Sequence, residues 1–214
     1  MKLKLLLLMF FLSFMTFATS YFPHFYHLYN PVVGEWSKYE MRDNLGNKAI
    51  LTISVVSKEN DYYWIEVESS QTNYVGTAAY LVSGDPTEDS NVLKVRIKNG
   101  DGPIIEITKE TLEKMKKMQQ STPISTGIGP VKGKIQSLPN ETVKVGNINY
   151  DCQRIKLISP ENKTADIWIS DKVCPFGIVK LLSSDEYLIL IDSGKDSKPK
   201  LLGPAIQLIL EKGD

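Results

Sequence analysis

Short β-branched and aromatic segments recur about every ten to fifteen residues along this chain, and their side chains alternate with a period of two. The cleanest case lies at 93–98, where Leu93, Val95 and Ile97 face one way and Lys94, Arg96 and Lys98 the other. One dry and one wet face favour an antiparallel sheet. Residues 62–68 repeat the pattern, with Tyr63, Ile65 and Val67 against Trp64, Glu66 and Glu68. Further strands are expected to open at 33–36 and to run at 49–57, 77–83 and 104–107. After residue 130 they are expected at 131–138, 141–145, 148–158, 164–170, 177–182, 186–191 and 205–210. Polar turns at 44–47, 58–61 and 99–102 separate several of them.

One segment breaks the series. Residues 109–120 read as a helix with Thr108 as N-cap, Glu110 in the first turn and Lys116 and Lys117 near the last. Glu110 with Lys114 and Glu113 with Lys117 make i,i+4 pairs in the favoured orientation. Ile107 and Leu112 stand where a hydrophobic staple needs them. Leu112, Met115 and Met118 form a narrow apolar stripe, which suits core packing or the rim of a cavity. A second, short helix is expected at 24–29, ended by Asn30-Pro31.

The first twenty residues place the protein. Lys2 and Lys4 precede an apolar run from Leu5 to Leu12, and Ala18 and Ser20 sit two apart before the expected cleavage point. This is the layout of a secretory signal peptide, and the apolar run is shorter than the roughly 20 residues of a membrane span. No integral span is expected after cleavage, and the remaining residues, 21–214, are expected to form one domain, periplasmic or secreted. Lysine plus arginine equals aspartate plus glutamate at 25 each, so nothing draws the chain to nucleic acid.

Cys152 and Cys174 are the two cysteines. In an oxidising compartment such a pair is most simply a disulfide, here closing a 23-residue loop; two buried free thiols are the alternative. A hairpin turn at 159–164, flanked by Ile158 and Ala165, would set Cys152 near Asp171 and within reach of Cys174.

The two histidines, His24 and His27, both lie near the expected cleavage point. Nucleophilic triads therefore have little to build on, and no metal site or cofactor is expected. Asp85, Glu88 and Asp89 fit no calcium-loop template. Asn140 and Asn162 head glycosylation sequons that matter only in a eukaryotic secretory pathway. The chain is expected to be no enzyme.

The aromatic residues point instead to binding. Trp36, Tyr39, Trp64, Tyr80 and Trp168 lie on strands, and Trp64 and Trp168 oppose residues already assigned to the core. Strands that are apolar on both faces are either covered on both or line a cavity. Both readings stand at this point. With Leu112, Met115 and Met118, these five aromatics are the candidate ligand-binding set.

Residues 141–184 contain V-x-V-G-x-I-x-Y-x-C-x-x-I-K-L and D-I-W-I-S-D-K-V-C-P-F-G-I-V-K-L, and residues 33–41 read V-G-E-W-S-K-Y-E-M. With S-V-V-S-K-E and Y-Y-W-I-E-V-E, these stretches resemble the LolA-like lipoprotein-carrier superfamily of bacteria. The resemblance rests on fold-forming positions and transfers no ligand-specific residue. It implies an α+β fold: a strongly curved antiparallel sheet, an incomplete barrel of about ten strands, with the main helix on its concave face. It further implies carriage of a hydrophobic ligand such as lipid or lipoprotein acyl chains. The alternative is a non-catalytic envelope scaffold or partner-binding protein with a filled core.

Overall fold

The computed structural model describes residues 28–209 except 44–45, 47, 72–73, 87, 121–133, 159–161, 184–185 and 202. The expected signal peptide, both histidines and most of the expected short helix lie outside the described residues. Within that helix, Leu28 and Tyr29 are not helical. The amides of Leu28 and Asn30 instead donate to the carbonyls of Phe176 and Pro175, so this segment runs alongside the 174–177 turn.

Among the described residues, twelve strands form one sheet, built from two meanders. The first comprises β1 (Trp36–Asp43), β2 (Lys48–Glu59), β3 (Tyr62–Gln71), β4 (Tyr74–Val82), β5 (Val92–Asn99) and β6 (Ile105–Thr108). The helix α1 (Lys109–Gln120) follows β6 directly. The second comprises β7 (Lys134–Val145), β8 (Ile148–Ile158), β9 (Thr164–Ile169), β10 (Ile178–Ser183) and β11 (Glu186–Gly194). The spatial order is β12-β6-β5-β4-β3-β2-β1-β11-β10-β9-β8-β7, where β12 is Ile206–Gln207. The pairing of β1 with β11 joins the meanders.

The expected α+β incomplete barrel is therefore corrected. The sheet is mixed, because β12 runs parallel to β6. It is not closed, because β12 and β7 are its two ends and do not pair. The structure is mostly strand. Helix α1 lies against β6 and β5, and its Leu112 and Met115 join the main core. Its placement follows from the chain: Thr108, the last residue of β6, accepts from the Thr111 amide, so the helix starts where the strand stops. Twelve residues give a rod of only ~18 Å.

The main core lies on one face of the first meander, with Leu51, Ile53, Ile65, Val67, Tyr80, Val95, Ile97 and Ile107 all buried. It continues through Ile155, Ile167, Leu181, Leu188 and Leu190 in the second. The opposite face carries a smaller buried cluster of Val56, Trp64, Ala79, Leu81 and Leu201. A β-bulge in β7 places Pro139 and Asn140 between the pairs Leu138–Arg154 and Glu141–Cys152, so the two expected strands there are one. Along β8 burial switches from Tyr150 and Cys152 to Ile155 and Leu157, that is, from even to odd positions. The tip half of the β7–β8 hairpin thus turns a different face inward from its base. Gly146 makes the tip with φ +56°, where a side chain would be strained.

Candidate functional site

Two places bring chemistry-bearing side chains together. The first lies under the β7–β8 tip, where Tyr150 of β8 reaches Ser193 of β11. Ser37 and Ser193 are cross-strand partners on β1 and β11. The Ser193 Oγ lies 3.0 Å from the Tyr150 hydroxyl, and the Ser37 hydroxyl donates to the Cys174 carbonyl. Tyr39, 1% exposed, stands two residues along β1, and its hydroxyl has no hydrogen-bond partner among the described residues.

Burial pushes the Tyr39 phenol well above its usual range, with nearby Cys174 and Tyr150 adding to the effect. Burial likewise pushes both thiols up to about 11. The Tyr39 phenol and the two thiols therefore keep their protons at neutral pH and can hydrogen-bond an acceptor; a nucleophile would need an adjacent base.

The two cysteines correct the expected disulfide: both are buried and free. The observed register pairs Ile158 with Thr164, one residue off the expected one, and the β8–β9 ladder ends at Gln153–Ile169. Cys152 turns its Sγ toward the Tyr150 carbonyl, 3.4 Å away. Cys174 accepts from the Val32 amide at 3.4 Å.

The second cluster lies on the outer face of the first meander. Glu66, Ala79, Arg96 and Glu106 form one cross-strand row over β3, β4, β5 and β6. Ala79 leaves room for the long side chains beside it. Arg96 bonds Glu106 with Nε and Nη2, both at 2.8 Å, and stacks 5.1 Å from the Trp64 ring. Its Nη1 donates to the Leu201 carbonyl. Glu66, 4% exposed, accepts from the amides of Lys200 and Leu201.

The candidate ligand-binding residues fall in different parts of the fold. Tyr39, Tyr80, Leu112, Met115 and Trp168 are buried in the main core. Trp64 belongs to the cluster on the other face. Trp36 packs over Gly194 at the end of β11 and donates to Asp196 at 2.8 Å. The side chain of Met118 lies outside the described residues. Trp168 is pinned between Arg154 and Lys180, 4.7 and 4.5 Å from its ring, and donates from Nε1 to Glu141 at 2.8 Å.

Sequence reasoning missed Ser37, Tyr150, Ser193 and Glu66. For Glu66 a signal existed: its neighbour on the same face is Trp64, and a tryptophan on a supposedly wet face means that something covers it. Leu201 gives no such signal, because it lies in an irregular segment without periodicity. Among the described residues, no group of three His, Cys, Asp or Glu is placed to hold a metal ion. None of the described helices is long and apolar enough to cross a membrane.

No protein-family model matches the chain, and no curated protein matches it. Among solved structures it is similar to the crystal structure of MucB, at 7% sequence identity and a TM-score of 0.46. The likeness covers 80% of this chain and 57% of that one, so this chain spans little more than half of its neighbour. A likeness of this size carries no argument about ligand or partner, and membership of the LolA-like group is not shown by it.

Proposed function

We propose that this is a non-catalytic protein of the cell envelope that binds a protein partner along the open β7 edge. One observation carries the reading. Strand β7 is twelve residues long and pairs only with β8 among the described residues, and all of it except Leu138, Val143 and Val145 is exposed. Ile135 on β7 and Ile148 on β8 are 54% and 50% exposed, apolar anchors beside an unpaired backbone. An extended segment of a partner can add to such an edge by main-chain hydrogen bonds. Pro139 and the bulge beside it interrupt the edge, which blunts continuous self-assembly and divides it into 134–138 and 141–145. The partner segment is then about five residues long. The signal-peptide layout supports the envelope location, and the burial of Tyr39, Trp64, Tyr80 and Trp168 supports the filled core that this reading needs.

A second reading, carriage of a lipid or lipoprotein acyl chain, draws on the Tyr39 hydroxyl, a buried donor that a ligand carbonyl would satisfy. Two experiments on the protein purified from an envelope fraction separate them. Native mass spectrometry with lipid extraction gives a clean apo mass if the core is filled, and a consistent lipid adduct if it carries. A photo-crosslinker at Gln136 captures a partner that one at Lys58, on β2, does not. A lipid adduct together with equal labelling at both positions overturns the edge reading.

A further inference from the structure

Between β11 and β12 the chain crosses the outer face of the first meander as an irregular segment, residues 195–201. It starts beside β1, where Lys195 pairs with Glu35 at 2.8 Å and the Ser197 amide donates to Gly34. It ends over β3 and β5, where Leu201, 0% exposed, plugs the cluster of Val56, Trp64, Ala79 and Leu81. We propose that this segment is a strap that lifts as a unit, with Glu66 as its latch, uncovering the Trp64 face while the main core stays folded.

The strap and the sheet are unequally attached. The sheet is held by ladders and by a large continuous core. The strap has no ladder of its own, exposes Lys195, Asp196, Lys198, Pro199 and Lys200, and contributes Leu201 as its buried apolar side chain. Segments with few apolar contacts open at free energies well below global unfolding. Two of the strap's backbone donors converge on one carboxylate: the Lys200 amide lies 2.9 and 3.1 Å from the Glu66 oxygens, and the Leu201 amide 2.8 Å from Oε1. Removing that side chain orphans both donors at once. The Lys200 ammonium is turned aside to Glu68 at 2.6 Å, so the latch itself is a carboxyl group on backbone amides.

The latch also has a direction in pH. Burial raises the Glu66 carboxyl above its usual range, and Glu68 on the same strand adds to this; the Leu201 and Lys200 amides and the Lys200 charge oppose it. The other charges in its row are Arg96 on β5 and Glu106 on β6, which pair with each other, while Ala79 on β4 and Ser54 on β2 are uncharged. Lifting the strap returns Glu66 to water and to its ordinary pKa. The closed state therefore holds its proton more tightly, and rising pH above the ordinary glutamate range favours lifting.

Hydrogen exchange by mass spectrometry on the full chain tests this. In Glu66→Ala, the peptide spanning 195–201 should lose at least ~10-fold in protection, with β2–β4 and β8–β11 peptides unchanged. Glu66→Gln should keep most of it, since one amide oxygen can accept from both backbone donors. In the parent protein, strap exchange corrected for the intrinsic chemical rate should accelerate as pH rises from about 4.5 toward neutral, and in Glu66→Gln it should not. Uniform loss of protection across all peptides in Glu66→Ala overturns the proposal, because the strap would then be part of the global fold. So does a strap whose protection is indifferent to both substitution and pH. The pH series needs no variant, so a failure of Glu66→Ala to fold leaves the proposal testable.

Discussion

The Tyr150 hydroxyl and the Ser193 hydroxyl lie 3.0 Å apart although two strands, β9 and β10, separate the strands that carry them. In a flat sheet three strand spacings would put those backbones ~14 Å apart. The contact exists because the β7–β8 tip folds back toward β11, with its face reversed relative to its base.

A bond that depends on this overlap should report on it. Tyr150→Phe keeps the ring packed and removes the hydroxyl, and is expected to cost about 0.5–1.5 kcal/mol. Ser193→Ala should cost a similar amount, and the double variant less than their sum, because both delete one interaction. Urea denaturation of the four proteins is the check. Additive losses would mean that the hydroxyls do not stabilise one another.

The helix offers a test of packing. Met115 is 6% exposed and Leu112 9%, both within the main core beside Ile107. Met115→Ala is therefore expected to destabilise the protein by about 2–5 kcal/mol, the range for truncating a buried side chain. A loss well under ~1 kcal/mol would indicate that Met115 borders empty space that can collapse around it.

Much of the sheet was legible because its signals are local. Period-two alternation located nearly every strand, and the Thr108 cap with the Ile107–Leu112 staple placed the helix at its observed bounds. The overall architecture was not legible, because it depends on long-range choices that leave no periodic mark. The parallel β12 depends on the strap crossing the sheet, and the strap depends on Glu66, which alternation assigns to solvent. The cysteine environment was not legible either: Cys174 lies in a turn beyond the β8–β9 ladder, and each sulfur sits beside a different backbone group. The candidate aromatics were found as residues that cannot lie in water. Whether they line a cavity or fill a core is a question of three-dimensional density, which spacing does not encode.

The thiols give a pH dependence with a definite sign. Burial raises both from an ordinary value near 9 to about 11, so the folded chain holds these protons more tightly than the unfolded one. Their contribution is fully present below about pH 9 and is lost as pH rises through the window toward 11. The urea midpoint should fall over that window, and less steeply in Cys152→Ala/Cys174→Ala. In the native protein without reductant, both thiols should resist iodoacetamide at neutral pH, and in denaturant both should be alkylated. An unreduced, denatured chain that takes up no label would restore the disulfide.

Trp168 ties the bulge in β7 to the body of the second meander. The bulge carries Glu141 past the regular register, and its carboxylate accepts from the indole Nε1 at 2.8 Å. Arg154 and Lys180, the cross-strand neighbours of Trp168 on β8 and β10, hold cations over its ring. Arg154 is fixed in turn by Asp166 at 2.6 Å. Trp168→Phe preserves an aromatic face for both cations but removes the bond to the charged acceptor, and should cost about 1.5–3 kcal/mol. Glu141→Gln should recover part of the Trp168 bond as a neutral one and cost less. Arg154→Ala removes a cation–π contact worth about 0.5–2 kcal/mol and also unpairs the part-buried Asp166. If Glu141 sets the direction of the β7 edge, Trp168→Phe and Glu141→Ala should lower hydrogen-exchange protection across 134–145 together, with β1–β5 unaffected. Equal stability in Trp168→Phe and the parent would show that the indole bond contributes nothing, and that the bulge is held by backbone geometry alone.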